Sequence, residues 1–498
     1  MKRLLLLTLL FVALGGRAQQ FQQEVVQGDS VGVEHSRQAF DKAYLEEAIS
    51  LLSTYIKIPS ITGQEEEAGT FLAAYAKDKD LHITYFSHDS NSYNFAASLF
   101  PLFTQKPNIV LLNHIDVVPE GDTTYWKHAP FSGKVDSSYV WGRGAIDSKG
   151  LGVMQLMALL RFKEKYADKD LPYNITLLSV SNEEDGGKLG AKLITDHYLR
   201  YLNPAVVLGE GGAGFSGVLS SKPEARVFGV SVAEKSSLWL EMELQYNTFG
   251  HGATPAINYA NKELIQALSS LNNRKLRLRF NRTNRRMMRE LGKAEGGIKG
   301  FFMAHSNWSI LNPLVVRFIK NDPLYLSLFT NTITVTQLSN PPGPPNSIPS
   351  LASATLDCRL LPGVKKQAFM RQIDYWVKNP HVKFKVLNES PMAEATKPDE
   401  FYDALKASIQ SEYPESYVLP VLFPATTDNS FFRLYDVPTY GIIPAIFTQE
   451  DLESVHNYNE RISFEALQSG IRVYLRFLET LQKPKERRLK LPLLDKKK

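Results

Sequence analysis

Residues 108–119 read N-I-V-L-L-N-H-I-D-V-V-P, and residues 142–150 read G-R-G-A-I-D-S-K-G. The apolar run 109–112 has the length and β-branched content of a strand buried on both faces. It delivers His114 and Asp116 to its C-terminal end, where open α/β sheets keep their ligands. Gly142 and Gly144 bracket Arg143, and Asp147 follows on a glycine-rich turn ahead of the helical pattern at 152–162. Asp147 is therefore expected at a loop-to-helix junction beside the same sheet edge.

Two later stretches repeat the design. Residues 174–180 (N-I-T-L-L-S-V) run into Asn182, Glu183, Glu184 and Asp185 before Gly186 and Gly187; residues 205–208 run into Gly209 and Glu210. Each hydrophobic strand ends by presenting carboxylates on a glycine-loosened turn. Near the C-terminus, His456 and the pair Glu460-Arg461 add a second histidine. Three carboxylates and two imidazoles on one edge make a nitrogen and oxygen site for borderline metals, with no thiolate at hand because Cys358 is the only cysteine. Asp147, Glu184 and Glu210, with a hydroxide between them, balance two divalent cations, whereas one cation leaves surplus negative charge in a buried site. A lone histidine or a lone Glu-Glu pair at a strand end is ordinarily structural. It is the recurrence at successive strand ends that argues for chemistry.

These segments resemble the co-catalytic zinc peptidase family of carboxypeptidase S, glutamate carboxypeptidase, aminoacylase, acetylornithine deacetylase and succinyl-diaminopimelate desuccinylase, with the pattern nearest the carboxypeptidase S-like members. The likeness runs from about residue 46 to about residue 478. It implies that His114 and Glu210 hold one zinc ion, Glu184 and His456 a second, and that Asp147 bridges them. Cobalt or manganese would be substitutes. It implies further that Asp116 orients His114 from behind and that Glu183 is the general base. Asn182 stands where relatives carry an aspartate, which leaves the ligands intact and alters the hydrogen bonding beneath Glu183.

The fold expected is α/β, a catalytic domain with a mostly parallel central sheet flanked by helices at 36–228 and 393–481, interrupted by an inserted α+β lid at 229–392. In the insert, residues 237–246 (S-L-W-L-E-M-E-L-Q-Y) alternate, 261–271 and 366–378 are helical, and 331–337 and 353–360 are strands. Family lids of this plan mediate dimerisation, so a homodimer is expected. The loop Gly250-His251-Gly252-Ala253-Thr254-Pro255 matches the family's G-H-x-x-x-P, which implies that His251 polarises the scissile carbonyl, reaching into a partner's site. Asn346 and Arg359 match substrate-binding positions, and an arginine fork suits a terminal carboxylate, although Asp357 is a ready structural partner for Arg359. Thr427-Asp428 and Phe432 resemble a T-D-x-x-x-F turn before the last ligand. The Arg-rich segment 274–289 is expected within the lid as a solvated helical face, with Leu276, Leu278 and Phe280 inward.

The ends carry the basic charge. The chain has 498 residues and a formal charge of +5. Lys2, Arg3 and Arg17 flank an apolar run at 4–14 that reads as a secretory signal over 1–18, and a basic tail fills 482–498. The body between is mildly acidic, which argues against nucleic acid as a partner, and no later apolar run is long enough for a stable membrane span. The mature protein is expected to be secreted or periplasmic. The expected activity is hydrolysis of an amide bond next to an amino acid, of carboxypeptidase or dipeptidase type, with N-acyl amino acid hydrolysis as the alternative. A binding protein that merely kept the fold is expected to have lost ligands or base, and all six positions are filled.

Overall fold

In the computed structural model of the chain, residues 31–482 are described, except 90, 167, 247–249, 276, 312–315 and 318–322. The expected signal segment 1–18 and the tail from 483 onward lie outside the described residues.

The 108–119 stretch forms the strand Asn108–His114, buried at every position. Side chains such as Ile109, Val110, Leu111 and Leu112 find apolar cover on both faces, each worth about 1.5–3 kcal/mol of burial. Two parallel neighbours flank it, Asn174–Val180 and Pro204–Gly209. His114 stands opposite Val180, so the histidine and the 182–187 turn emerge from the same edge. Across the large sheet the strands run in the order His82–Asp89, Ser92–Ser98, Asn174–Val180, Asn108–His114, Pro204–Gly209, Thr439–Gly441, Val227–Glu234, Tyr417–Phe423. Pairing is antiparallel between His82–Asp89 and Ser92–Ser98, between Ser92–Ser98 and Asn174–Val180, and between Thr439–Gly441 and Val227–Glu234; the other neighbours in this order are parallel. Helices Lys149–Tyr166 and Phe464–Leu481 pack against each other over one face. Their approach is close, since a Cβ at Gly470 would fall 2.4 Å from Met154 Sδ.

A second sheet, wholly antiparallel, has the order Thr332–Ser339, Leu351–Leu360, Ser236–Gln245, Val382–Glu389. Alternate residues of Ser236–Gln245 (Leu238, Leu240, Met242, Leu244) form a separate core with helices Ala260–Asn272 and Lys366–Val377. Period-2 patterning makes one face of this sheet apolar, and the two helices cover it.

Three details differ from the sequence expectation. Val227–Glu234 belongs to the large sheet, so the insert's own sheet starts at Ser236 and the boundary expected at 229 cuts through a strand. The fourth strand of the insert, Val382–Glu389, was not anticipated; its half-exposed edge position gives it little apolar signal. The Arg-rich stretch becomes the helix Arg282–Glu295, whose Met287, Met288, Leu291 and Ala294 join the core of the large sheet and pack toward Tyr417–Phe423 rather than the insert's core. Leu278 and Phe280 lie against that same core, and Leu276 is outside the described residues.

Candidate active site

The five expected ligand positions meet at the C-terminal edge of the large sheet. His114 Nε2 lies 3.0 Å from Asp147 Oδ1 and 3.6 Å from Glu210 Oε2. His456 Nε2 lies 3.0 Å from the other oxygen, Asp147 Oδ2, and 3.2 Å from Glu184 Oε2. Asp147 thus turns one oxygen toward each histidine. Donor atoms of His114, Asp147 and Glu210 fall within 4.8 Å of one another, as do those of Asp147, Glu184 and His456, and those of His114, Glu183 and Glu184.

Buried anchors hold this cluster. The Glu460 carboxylate, 1% exposed, accepts hydrogen bonds from Arg143 Nη1 (2.8 Å) and from the backbone N–H groups of Gly144, Ile146 and Asp147. It fixes the Asp147 loop by four donors. Asp116 works differently from expectation. The His114 Nδ1 contact at 2.8 Å is to the Asp116 backbone carbonyl, with the carboxylate at 3.6 Å. That carboxylate accepts instead from the backbone N–H groups of Glu183 and Glu184, both at 3.1 Å, and from Thr62 Oγ1. One residue therefore steers the histidine and pins the Glu183-Glu184 turn. The turn closes at Gly187, whose φ of +68° suits glycine and where a Cβ would lie 2.4 Å from Asp428 Oδ1.

The electrostatics reflect crowding of acids. Burial pulls the His456 imidazole down, and hydrogen bonds to Asp147 and Glu184 more than reverse this, raising it to about 11. For His114 burial likewise opposes charge, yet the surrounding carboxylates of Asp116, Asp147 and Glu210 hold it well above its ordinary value. Asp147 is held well below the usual carboxylate range by the two histidines, against its burial. Burial raises Glu184 to about 7, with repulsion from Asp147 adding to it, and raises Glu210 for the same two reasons. Glu183 is pushed well above its ordinary value by burial and by Glu210. Glu184 Oε1 and both oxygens of Asp428 are buried without a hydrogen-bond partner. Nitrogen and oxygen donors, mutually repelling acids and an orphaned ligand-side oxygen together fit a pair of hard or borderline cations.

A cleft of about 510 Å³ opens over the cluster, between the large sheet and the insert. Its lining includes Asp147, Glu183, Glu184, Glu210 and His456. One wall is apolar, with Phe215, Val421, Phe423, Ile443, Phe447 and Leu452. Arg359 also lines it, with two nitrogens already on Asp357 (2.9 and 3.2 Å) and Nη1 at 3.3 Å from Thr426 Oγ1. His251 and Asn346 do not line it. They sit on the exposed side of the insert, bonded to each other at 3.0 Å between Asn346 Nδ2 and His251 Nε2, next to the short pairing of Gly250–His251 with Ser347–Ile348. Sequence reasoning passed over Glu460 as a clamp and Asp428 as a buried acid beside Glu183. Neither stands in a periodic pattern that separates it from a surface acid.

A two-lobed α/β chain with clustered imidazoles and carboxylates at a sheet edge has the makings of a hydrolase. Residues 110–480 match the model of peptidase family M20/M25/M40, and the chain belongs to that family; it is a hydrolytic enzyme. It is similar to "Probable carboxypeptidase S-like 2" of Dictyostelium discoideum, 26% identical over 393 residues, covering 75% of this chain and 72% of that one. It is also similar to the human "N-fatty-acyl-amino acid synthase/hydrolase PM20D1", 26% identical over 451 residues, with 86% and 87% covered. Among solved structures, the M20 family metallo-carboxypeptidase Sso-CP2 from Sulfolobus solfataricus superposes with a TM-score of 0.65 at 19% identity, covering 88% of this chain and 99% of that one. Human carnosine dipeptidase 1 does so with a TM-score of 0.59 at 16% identity, covering 89% and 98%. At these identities the structural likeness speaks for the fold.

Proposed function

We propose that the protein hydrolyses an amide bond adjacent to an amino acid with two divalent cations, zinc by preference, held by His114 and Glu210 on one side, Glu184 and His456 on the other, and Asp147 between. The observation that carries this reading is Asp147 itself, 3.0 Å from each of two histidines through different oxygens. Cations bound there supply Lewis acidity and make water a nucleophile near neutral pH. Glu183, held over the cleft by its backbone bond to Asp116, takes the proton from water and returns it to the leaving amine. His251 and Asn346 act on the carbonyl and the substrate's polar end from a partner subunit, in a homodimer formed through the insert. In support, both are exposed, neither lines its own chain's cleft, and they lie against each other. Arg359 takes a substrate carboxylate with the donor now on Thr426. Export is supported by the signal-like pattern at 1–18.

The apolar wall favours a particular version of this activity, the release of an apolar acyl group from an N-acyl amino acid. Apolar side chains in the lining give such an acyl group a surface to rest on. Metal analysis of the purified protein, with a panel of dipeptides and acylated amino acids, tests the reading. Two metals per chain and turnover of at least one compound class are expected. A remetallated preparation inert toward every compound would refute it.

A further inference from the structure

On the helix Gly297–Ala304 the apolar residues Ile298, Phe301 and Phe302 recur with the spacing of a face that normally packs inward. Here that face points out. Ile298 is 80% exposed, Phe301 49%, Phe302 44%, and the neighbouring Trp308 and Ile310 are 47% and 82% exposed. Rings knit the patch together, with Phe301 4.2 Å from His305 and His305 4.4 Å from Trp308 between centroids. The helix has no freedom to roll the patch inward. Gly300 sits against Gly292 of the preceding helix so closely that a Cβ at either would come within 2.4 Å of the other's carbonyl oxygen. A monomeric surface rarely leaves such a cluster uncovered without use.

The charge beside it selects the occupant. Arg282, Arg285 and Arg289 fall on one side of the helix Arg282–Glu295 and are exposed, and none has a carboxylate within ion-pair distance among the described residues. Exposed aromatic and aliphatic side chains on one helix, with unpaired arginines on the solvent side of the helix packed against it, are what the headgroup region of an anionic bilayer accepts, apolar groups at the acyl boundary and guanidinium groups on phosphates. No helix among the described residues is long and apolar enough to cross a membrane, so the contact lies on the surface. We propose that residues 282–310 form a docking surface for anionic phospholipid membranes. The inner face of the Arg282–Glu295 helix packs toward Tyr417–Phe423, the strand that supplies Val421 and Phe423 to the cleft lining, so the docking helix lies one layer from the cleft. The inference stands on the patch alone and holds whatever amide the cleft accepts.

The test is co-sedimentation of the full protein with vesicles of phosphatidylglycerol and phosphatidylcholine, against phosphatidylcholine alone. Preferential pelleting with the anionic vesicles is expected, weakening with added salt. Ile298→Ser with Phe302→Ser and Trp308→Ser should cut it at least tenfold. Arg285→Gln and Arg289→Gln should each cost about fivefold at low salt, with the cost shrinking as salt is raised. Melting temperatures within a degree or two of wild type certify that the variants fold, and the salt dependence of the unaltered protein is a readout that needs no variant. Equal pelleting with neutral vesicles, none with either, or binding untouched by both sets of changes would overturn the proposal. So would self-association of the wild type that the serine changes abolish, since the patch would then belong to a second copy.

Discussion

The metal-ligand edge of the large sheet and the His251–Asn346 corner of the insert make opposite use of their surroundings. At the first, side chains are fixed from behind: Glu460 receives four donors and Asp116 receives three, so Asp147, Glu183 and Glu184 have little freedom left. At the second, an exposed histidine has the Ala253 N–H at its Nδ1 and the Asn346 side-chain amide beside its Nε2, on a pairing two residues long. On the proposed reading, rigid ligands and a loosely held electrophile are what a site assembled from two bodies would require. The part that binds cations has to be ready beforehand, and the part that meets the substrate has to arrive.

The sharpest way to break that contrast is at the base. Glu183→Gln should lower kcat by roughly 10²–10⁴-fold with metal content unchanged by elemental analysis; near-normal turnover would remove Glu183 from the role. His251→Ala should cost about 10²–10³-fold in kcat and leave the melting temperature alone, because nothing buried depends on it. Mixing it with Glu183→Gln should restore part of the activity through hybrid dimers, and failure of rescue would assign His251 to its own chain's site. Asp116→Asn should act on the rigid side, weakening metal affinity about 10–100-fold, measured by competition with a chelator. Glu460→Gln should be felt in folding as well as metal binding. Removing one partner of a buried ion pair costs about 3–5 kcal/mol, and Arg143 at 2% exposure would be left with its charge unmatched.

The smallest effect expected lies between the two regions. Lys235 is fully buried at the crossing into the insert, its Nζ on Thr330 O and Thr332 Oγ1, and burial, helped by Arg359, lowers its pKa from 10.5 to about 7. Between those two values the unfolded chain binds more protons than the folded one, so stability should climb as pH rises from about 7 toward 10.5. Lys235→Met should flatten that climb and raise the melting temperature at pH 7 by a few degrees, seen by calorimetry across the range. An unchanged slope would show that the amine does not titrate as its burial implies.

Much of the catalytic edge was legible because its signals are local. A β-branched run followed by a glycine-loosened turn states in consecutive letters that a strand ends there, and at 114, 183–184 and 210 the same letters carry the polar groups. What stayed hidden depends on contacts across hundreds of residues. Glu460 reaches Asp147 N over 313 positions, and the Asp116 carboxylate grips a turn 67 positions on; neither leaves a periodic trace. The Arg-rich helix was misplaced for a related reason. Its Met287, Met288 and Leu291 announce an apolar stripe, but periodicity does not say which of two cores receives it.

Beside Lys235, two of the connections between the large sheet and the insert run side by side. The outgoing Ser236 and Ser237 are bonded to the returning Ser390 and Pro391, with Ser237 N on Ser390 Oγ at 2.7 Å and Ser236 Oγ on Pro391 O at 2.8 Å. From there the strand Ser236–Gln245 runs ten residues, roughly 33 Å, toward the corner that carries His251. At roughly 3.3 Å per residue, a tilt of about ten degrees at its base would move its tip by about 6 Å, so on the proposed reading the set of this one strand governs how far His251 reaches.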